Sequence, residues 1–190
     1  GSAKTTGALH AARRYLRLHK TVKLVRPTTS IRAHERPGLL VTKNGESFPS
    51  IDVESSSEII DKVKDADVVW IDEPFLFDDE TILFDVIQEL RKTKEIFISA
   101  IGADCFLQPF KRTIPRLLAV ADEIIYCKAD CDCCGSMGKA TRTLLCTDGD
   151  FVGQVHVGGT ETYAAACPVC WTELMQLPGN ARKGRLRRST

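Results

Sequence analysis

Two cysteine pairs, Cys131 and Cys134 in "CDCC" and Cys167 and Cys170 in "CPVC", constrain this chain more than any other feature. Each pair has the C-x-x-C spacing that lets two thiolates face one cation, and four such thiolates close a tetrahedral zinc site. The 32 residues between Cys134 and Cys167 leave room for a small hairpin. The alternative is a set of buried or redox cysteines, or Cys133 in place of Cys134 at a poorer spacing. A closed four-sulfur site offers no open coordination position, so its metal would be structural. Metal rather than disulfides points to a reducing, intracellular compartment.

Ahead of the cysteines, helical and strand patterns alternate. "TGALHAARRYLRLHK" (6–20) places Leu9, Ala12 and Leu16 on one helical face, and "TVKLV" (21–25) reads as a strand. Residues 28–50 carry turn signals around "GLLV" and predict an irregular excursion or hairpin. Helix 55–66, strand 67–73, helix 80–94, strand 95–102 and a helix at 112–121 interrupted near Pro115 follow. "DEIIYCKA" (122–129) reads as a further strand. Strands "RTLLC" and "FVGQVHV" then flank the turn "TDGD". This alternation predicts an α/β fold, a parallel sheet with helices on both faces, plus a small zinc-knuckle domain. The expected boundaries are 1–126 for the nucleotide-binding core, 127–177 for the zinc domain and 178–190 for a basic flexible tail.

Composition excludes little else. A net charge of +1 with 27% charged residues gives the whole molecule no electrostatic pull toward nucleic acid or membrane. No apolar run reaches the roughly 20 residues that span a bilayer.

"GSAKTT" at the start resembles the end of a phosphate-binding loop opening into a helix. There Lys4 would reach outer phosphates and Thr5 would bind Mg²⁺, while Ala3 stands where glycine is usual. The alternative is an N-terminal helix cap. "VVWIDE" is a buried strand ending in two acids, where Asp72 can hold Mg²⁺ and Glu73 can act as a base. The bland reading is a strand ending in two solvated carboxylates.

With the loop, the "IDE" strand end and the two knuckles in one order, the chain resembles the zinc-containing thymidine kinase family along nearly its whole length. "SAKTT" is similar to S-G-K-[ST], "VRPTTSIR" to F-K-P-x-x-D-x-R and "WIDEPFLF" to I-D-E-x-Q-F-F. "SAIGADCFLQPF" is similar to L-D-x-[DT]-F-x-x-x-P-F, and "VGGTETYAAACPVC" to G-G-x-x-x-Y-x-x-x-C-x-x-C. The resemblance implies transfer of the ATP γ-phosphate to the 5′-hydroxyl of thymidine or a related pyrimidine deoxynucleoside, a salvage step for DNA synthesis. Ser2, Ala3, Lys4, Thr5, Thr6, Arg32 and Asp72 would then bind ATP and Mg²⁺, with Glu73 as catalytic base. Ile101, Cys105, Phe110, Thr141, His156, Val157, Gly158 and Tyr163 would line the nucleoside site, the last four on a loop held by Zn²⁺. For Ile101 and Phe110 core packing is the competing reading.

The chain departs from the family pattern at Ala3, at Ser30 in place of Asp, at Gly102 in place of Asp, at Cys105 in place of an aromatic, and at Phe75 and Leu76. Those departures suggest a changed substrate. They also support a second reading, a catalytically degenerate relative acting as an assembly module. The family pattern has a strand ahead of the loop, so further residues are expected before Gly1. A homo-oligomer, by resemblance a tetramer, is the expected assembly. The basic ending, with Arg182, Lys183, Arg185, Arg187 and Arg188, suggests contact with nucleic acid or a ribonucleoprotein.

Overall fold

The computed structural model describes residues 4–31, 35–42, 45–148 and 162–186. Helix α1, Lys4–Arg17, buries Leu9 and Ala12 as helical spacing demands, while Leu16 on the same expected face stays exposed. Strand β1, Val22–Pro27, is followed by the hairpin of β2, Leu39–Val41, and β3, Ser47–Val53. A 3-10 turn, Ser56–Glu58, leads into α2, Ile59–Lys62. Ser55 and Glu58 form a reciprocal capping box there. Then come β4, Val68–Asp72, α3, Glu80–Leu90, β5, Glu95–Ser99, and α4, Thr113–Ala119.

The strands form one sheet in the order β2-β3-β1-β4-β5. All pairs are parallel except β2 with β3. Alternation along each strand feeds two cores. Leu24, Trp70 and Phe97 face α1, while Val25, Val69, Ile71, Ile96 and Ile98 face the opposite side with Ile59, Leu83 and Ile114 from the other helices. On the α1 side the rings of Phe48, Trp70, Phe97 and Tyr15 form a row with centroids 5.6–6.2 Å apart.

Three local expectations change. Residues 47–53 form a full strand despite Pro49, because pairing with β1 starts only at Ser50 and the missing N–H of Pro49 costs no ladder bond there. Pro115 does not interrupt α4. It sits in the first turn, where its absent N–H has no intrahelical partner to lose. "DEIIYCKA" is not a strand: apart from an isolated bridge between Ala129 and Ala140 it has no ladder partner among the described residues, and Ile125 and Tyr126 are 75% and 79% exposed. The partner of the "RTLL" strand β6, Arg142–Leu145, is β7, Tyr163–Ala166, with Leu145 opposite Tyr163. Residues 151–157, the expected partner, lie outside the described residues.

The chain divides into two compact units. One comprises Lys4–Gly102 with Pro109–Ile124, and the other comprises Ala103–Gln108 with the described part of Ile125–Thr190. In the second, α5, Pro168–Leu174, and α6, Gly179–Lys183, accompany β6 and β7. No helix among the described residues is long and apolar enough to cross a membrane.

The first unit carries a buried charge at the end of β1. Arg26, 1% exposed, donates from Nε to Asp52 at 2.9 Å, and from its two terminal nitrogens to Glu35 and the Leu39 carbonyl at 3.2 Å each. Asp52 also accepts from Gly38 N and Ser50 Oγ, so one carboxylate ties the hairpin to the strand ends. Burial alone would raise the Asp52 carboxyl. The bonds from Arg26, Gly38 and Ser50 outweigh it and hold the group below its ordinary 3.8. Its ionised form therefore stabilises the fold fully above about pH 4, and that contribution is lost as pH falls through the depressed value. Asp52→Asn leaves the buried Arg26 charge with Glu35 as its remaining carboxylate partner and is expected to cost about 3 kcal/mol at neutral pH. Urea unfolding should show that loss, and a correspondingly shallower decline of stability in acid.

Candidate active site and zinc centre

The first unit gathers its chemistry at the carboxyl ends of parallel strands, where an open α/β sheet presents loops rather than packed side chains. Asp72 closes β4 and is 6% exposed. Its Oδ1 accepts the Ser99 hydroxyl, and Ser99 Oγ in turn accepts the indole N–H of the fully buried Trp70 at 2.7 Å. Because Ser99 lies opposite Asp72 in the β4–β5 register, adjacent strands aim this chain of bonds without any loop. Burial is the strongest influence on Asp72 and pushes its carboxyl upward. The Ser99 bond and the positive charges of Lys4 and Arg26 act the other way without cancelling it.

Lys4, Thr5 and Thr6 form the first turn of α1, all half-buried, and the Lys4 charge is felt at Asp72. The loop lysine and the strand-end acid of the sequence reading are thus brought together. Ser2, Ala3 and Arg32 lie outside the described residues. A carboxylate oxygen of this kind suits a hard cation such as Mg²⁺.

Glu73 follows at once in a left-handed conformation, φ 48° and ψ 48°, with its N–H bonded to the Ser99 carbonyl at 2.9 Å. A non-glycine residue held there stores strain of order 1 kcal/mol or more, which the surrounding structure must over-determine. The clamp is visible. Pro74 starts a 3-10 turn, and Phe75 is buried with its ring 4.6 Å from that of Phe110. Phe110 and Ile101 are partly buried against the main core, so packing accounts for both positions. Ser30, where the family pattern has Asp, is buried and closes its own turn by donating to the Pro27 carbonyl at 2.7 Å.

In the second unit Cys105 is buried, and burial followed by the neighbouring Asp104 charge pushes its thiol up to about 11. Asp104 accepts the backbone N–H groups of Phe106 and Gln108 at 2.9 and 2.8 Å, which fixes the short loop carrying Cys105. Tyr163 senses both neighbours. Burial first, then Cys105 and Asp104, raise its phenol to about 12. Cys105 and Tyr163 therefore share one environment. Thr141 instead borders a shallow cavity of about 360 Å³ with Lys128, Lys139 and Val169. His156, Val157 and Gly158 lie outside the described residues.

The four knuckle cysteines converge, with all their sulfurs within 4.8 Å of one another. Cys134 Sγ and Cys167 Sγ are 3.9 Å apart, close to the roughly 3.8 Å edge of a tetrahedron with Zn–S bonds of about 2.3 Å. Backbone N–H groups point at the sulfurs, among them Cys167 N to Cys131 Sγ at 3.2 Å and Cys170 N to Cys167 Sγ at 3.5 Å. Burial opposes ionisation of Cys131, but the N–H groups of Cys134, Cys167 and Cys133 outweigh it and bring the thiol down to about 6. A ready thiolate in a closed sulfur set fits zinc. Cys133 is not one of the four converging sulfurs; it packs against their cluster and also beside Cys146 and Trp171.

Ser99, Trp70 and Arg26 escape a reading of the sequence alone, because serine and tryptophan in an apolar run read as strand filler. The available signal for Arg26 is a cation that follows the apolar pair Leu24-Val25 at the end of a strand pattern.

A family model described as "Thymidine kinase" matches residues 1–171. A protein from Coprothermobacter proteolyticus named "Thymidine kinase" is 37% identical over 131 residues, covering 67% of this chain and 65% of that protein. Another of the same name from Mycoplasma genitalium is 31% identical over 169 residues, covering 87% of this chain and 76% of its own length. The chain thus spans just under two thirds of the first relative.

If the four converging cysteines hold zinc, the ion should survive dialysis at one per chain. Cys131→Ser or Cys170→Ser should lose it together with the β6–β7 unit's circular dichroism, and Cys133→Ser should keep it. A colorimetric chelator assay reads all three. Retention of zinc by Cys131→Ser would reject the ligand set.

Proposed function

The chain belongs to the thymidine kinase family, and from that premise we propose that it transfers the γ-phosphate of ATP to the 5′-hydroxyl of thymidine or a related pyrimidine deoxynucleoside. The observation that carries the reading is the end of β4, where the buried carboxylate of Asp72, which senses the Lys4 charge, is followed directly by Glu73 in a left-handed backbone conformation.

Phosphoryl transfer asks little covalent chemistry of a protein and much positioning. Lys4, with the first-turn N–H groups of α1, takes the outer phosphates of ATP, and Thr5 and Asp72 serve its magnesium shell. Magnesium bound with the triphosphate supplies charge neutralisation on the phosphate oxygens. Asp72 stays in place because Ser99 and Trp70 fix one of its oxygens. Glu73 accepts the 5′-hydroxyl proton as the sugar oxygen bonds to the γ-phosphorus and the bond to the β–γ bridging oxygen breaks, releasing ADP. Cys105 and Tyr163 flank the nucleoside, with a thiol where the family pattern has an aromatic ring. A closed four-sulfur zinc site holds its own hairpin unit together and takes no part in the chemistry.

Glu73→Gln keeps size and backbone while removing the proton acceptor, and is expected to lower kcat roughly 100- to 10,000-fold. Thymidine binding and zinc content should stay unchanged. Lys4→Ala should abolish turnover by weakening ATP binding. Coupled ADP-release assays with thymidine, deoxyuridine and 5-substituted deoxyuridines check both. Unaltered turnover by Glu73→Gln would reject the base, and no turnover by the parent chain on any of them would favour an assembly role.

A further inference from the structure

The basic ending of the chain begins as structure. Arg182 is half-buried and its guanidinium is spent on four main-chain carbonyls. Nε donates to Leu174 and Leu177 at 3.1 and 2.8 Å, Nη2 to Met175 at 3.1 Å and Nη1 to Leu145 at 3.0 Å. Three of these carbonyls lie at or just beyond the end of α5. The fourth belongs to the last residue of β6.

Two further contacts fix the same place. Gly179 N donates to Asp148 Oδ1 at 2.6 Å, and Asn180 N faces the other oxygen at 3.4 Å. Gly179 approaches the Thr147 main chain so closely that a Cβ there would lie 2.1 Å from the Thr147 carbonyl oxygen. No side chain larger than hydrogen fits without moving one of the two backbones. Leu186 completes the contact by packing on the cluster around Leu144 and the fully buried Cys146.

The pinned stretch, Leu145–Asp148, continues the strand that carries Tyr163 across the ladder. Leu145 is the register partner of Tyr163, and Cys146 N donates to the Thr162 carbonyl at 2.8 Å. The family match ends at residue 171, so the pin at 179–186 belongs to sequence beyond it.

We propose that residues 178–186 are a positioning element for the nucleoside side of the site, holding the β6–β7 stem so that Tyr163 keeps its place opposite Leu145. The proposal rests on the kinase reading for Tyr163 being a nucleoside contact. Arg182 and Gly179 act through the stem and touch no substrate. A basic residue that the sequence offers to nucleic acid is here an internal fastener.

The test compares the full zinc-loaded chain with Gly179→Ala and Arg182→Met, measuring KM for thymidine and for ATP separately, zinc content, and alkylation of Cys146 by mass spectrometry. Release of the pin is expected to expose Cys146 to alkylation. It should raise KM for thymidine roughly ten- to a hundredfold, since a misplacement of about 1 Å at a reacting centre has effects of that size, and leave KM for ATP within about twofold. Zinc should be retained. A thymidine KM unchanged from the parent chain in both variants would overturn the proposal, whether Cys146 becomes reactive or stays protected. A parallel rise in the ATP KM would also overturn it, by indicating general loosening. A parent chain without thymidine turnover would overturn the kinase reading and this proposal together, an outcome distinct from active variants with unaltered KM.

Discussion

One carboxylate in a dry place organises the carboxyl end of this parallel sheet. An ionised group taken out of water loses several kcal/mol of solvation unless hydrogen bonds and opposite charges replace it. Asp72 is almost fully buried, and its replacements are specific: the Ser99 hydroxyl, the Trp70 indole behind it, and the charges of Lys4 and Arg26. Each comes from a different element, so the carboxylate can sit where it does only if β1, β4, β5 and α1 are all in register. What remains is an upward push on its carboxyl, caused by burial.

That arrangement explains why the strand ends are so polar in an otherwise apolar sheet. Arg26 would be a liability if Asp52 and Glu35 did not meet it, and Asp52 would be costly without Arg26, Gly38 and Ser50. The pair supplies little net stability over an apolar replacement. Its consequence is positional, because it fastens the β2–β3 hairpin beside the functional end of β1. The second unit reaches the same result with other means, sulfur clustering at one end of its hairpin and Arg182 at the other.

Much of this was legible in the sequence, for local reasons. C-x-x-C spacing fixes how two thiolates can face one ion, and Cys131, Cys134, Cys167 and Cys170 do converge. "VVWIDE" declares a buried strand with acids at its end, and Asp72 and Glu73 are found there. What stayed hidden depends on partners far along the chain. β7 is "YAAA", whose alanines carry no strand signal, and β3 contains Pro49, harmless because pairing with β1 begins one residue later and the bond to the β2 side at this point is made by Ser50 N to the Gly38 carbonyl. Conversely "DEIIYCKA" has the β-branched and aromatic composition of a strand but finds no ladder among the described residues. Ser99 was invisible as a functional residue because its role exists only opposite Asp72, and the fastening role of Arg182 only beside Leu145.

The most direct test of the central claim is calorimetric binding of ATP with and without magnesium to the parent chain and to Asp72→Asn, which preserves shape and the Ser99 contact while removing the charge. The account predicts that magnesium strengthens ATP binding to the parent chain and has little effect on the variant. Equal magnesium dependence in both would contradict it, since the buried carboxylate would then have no part in holding the metal-bound nucleotide.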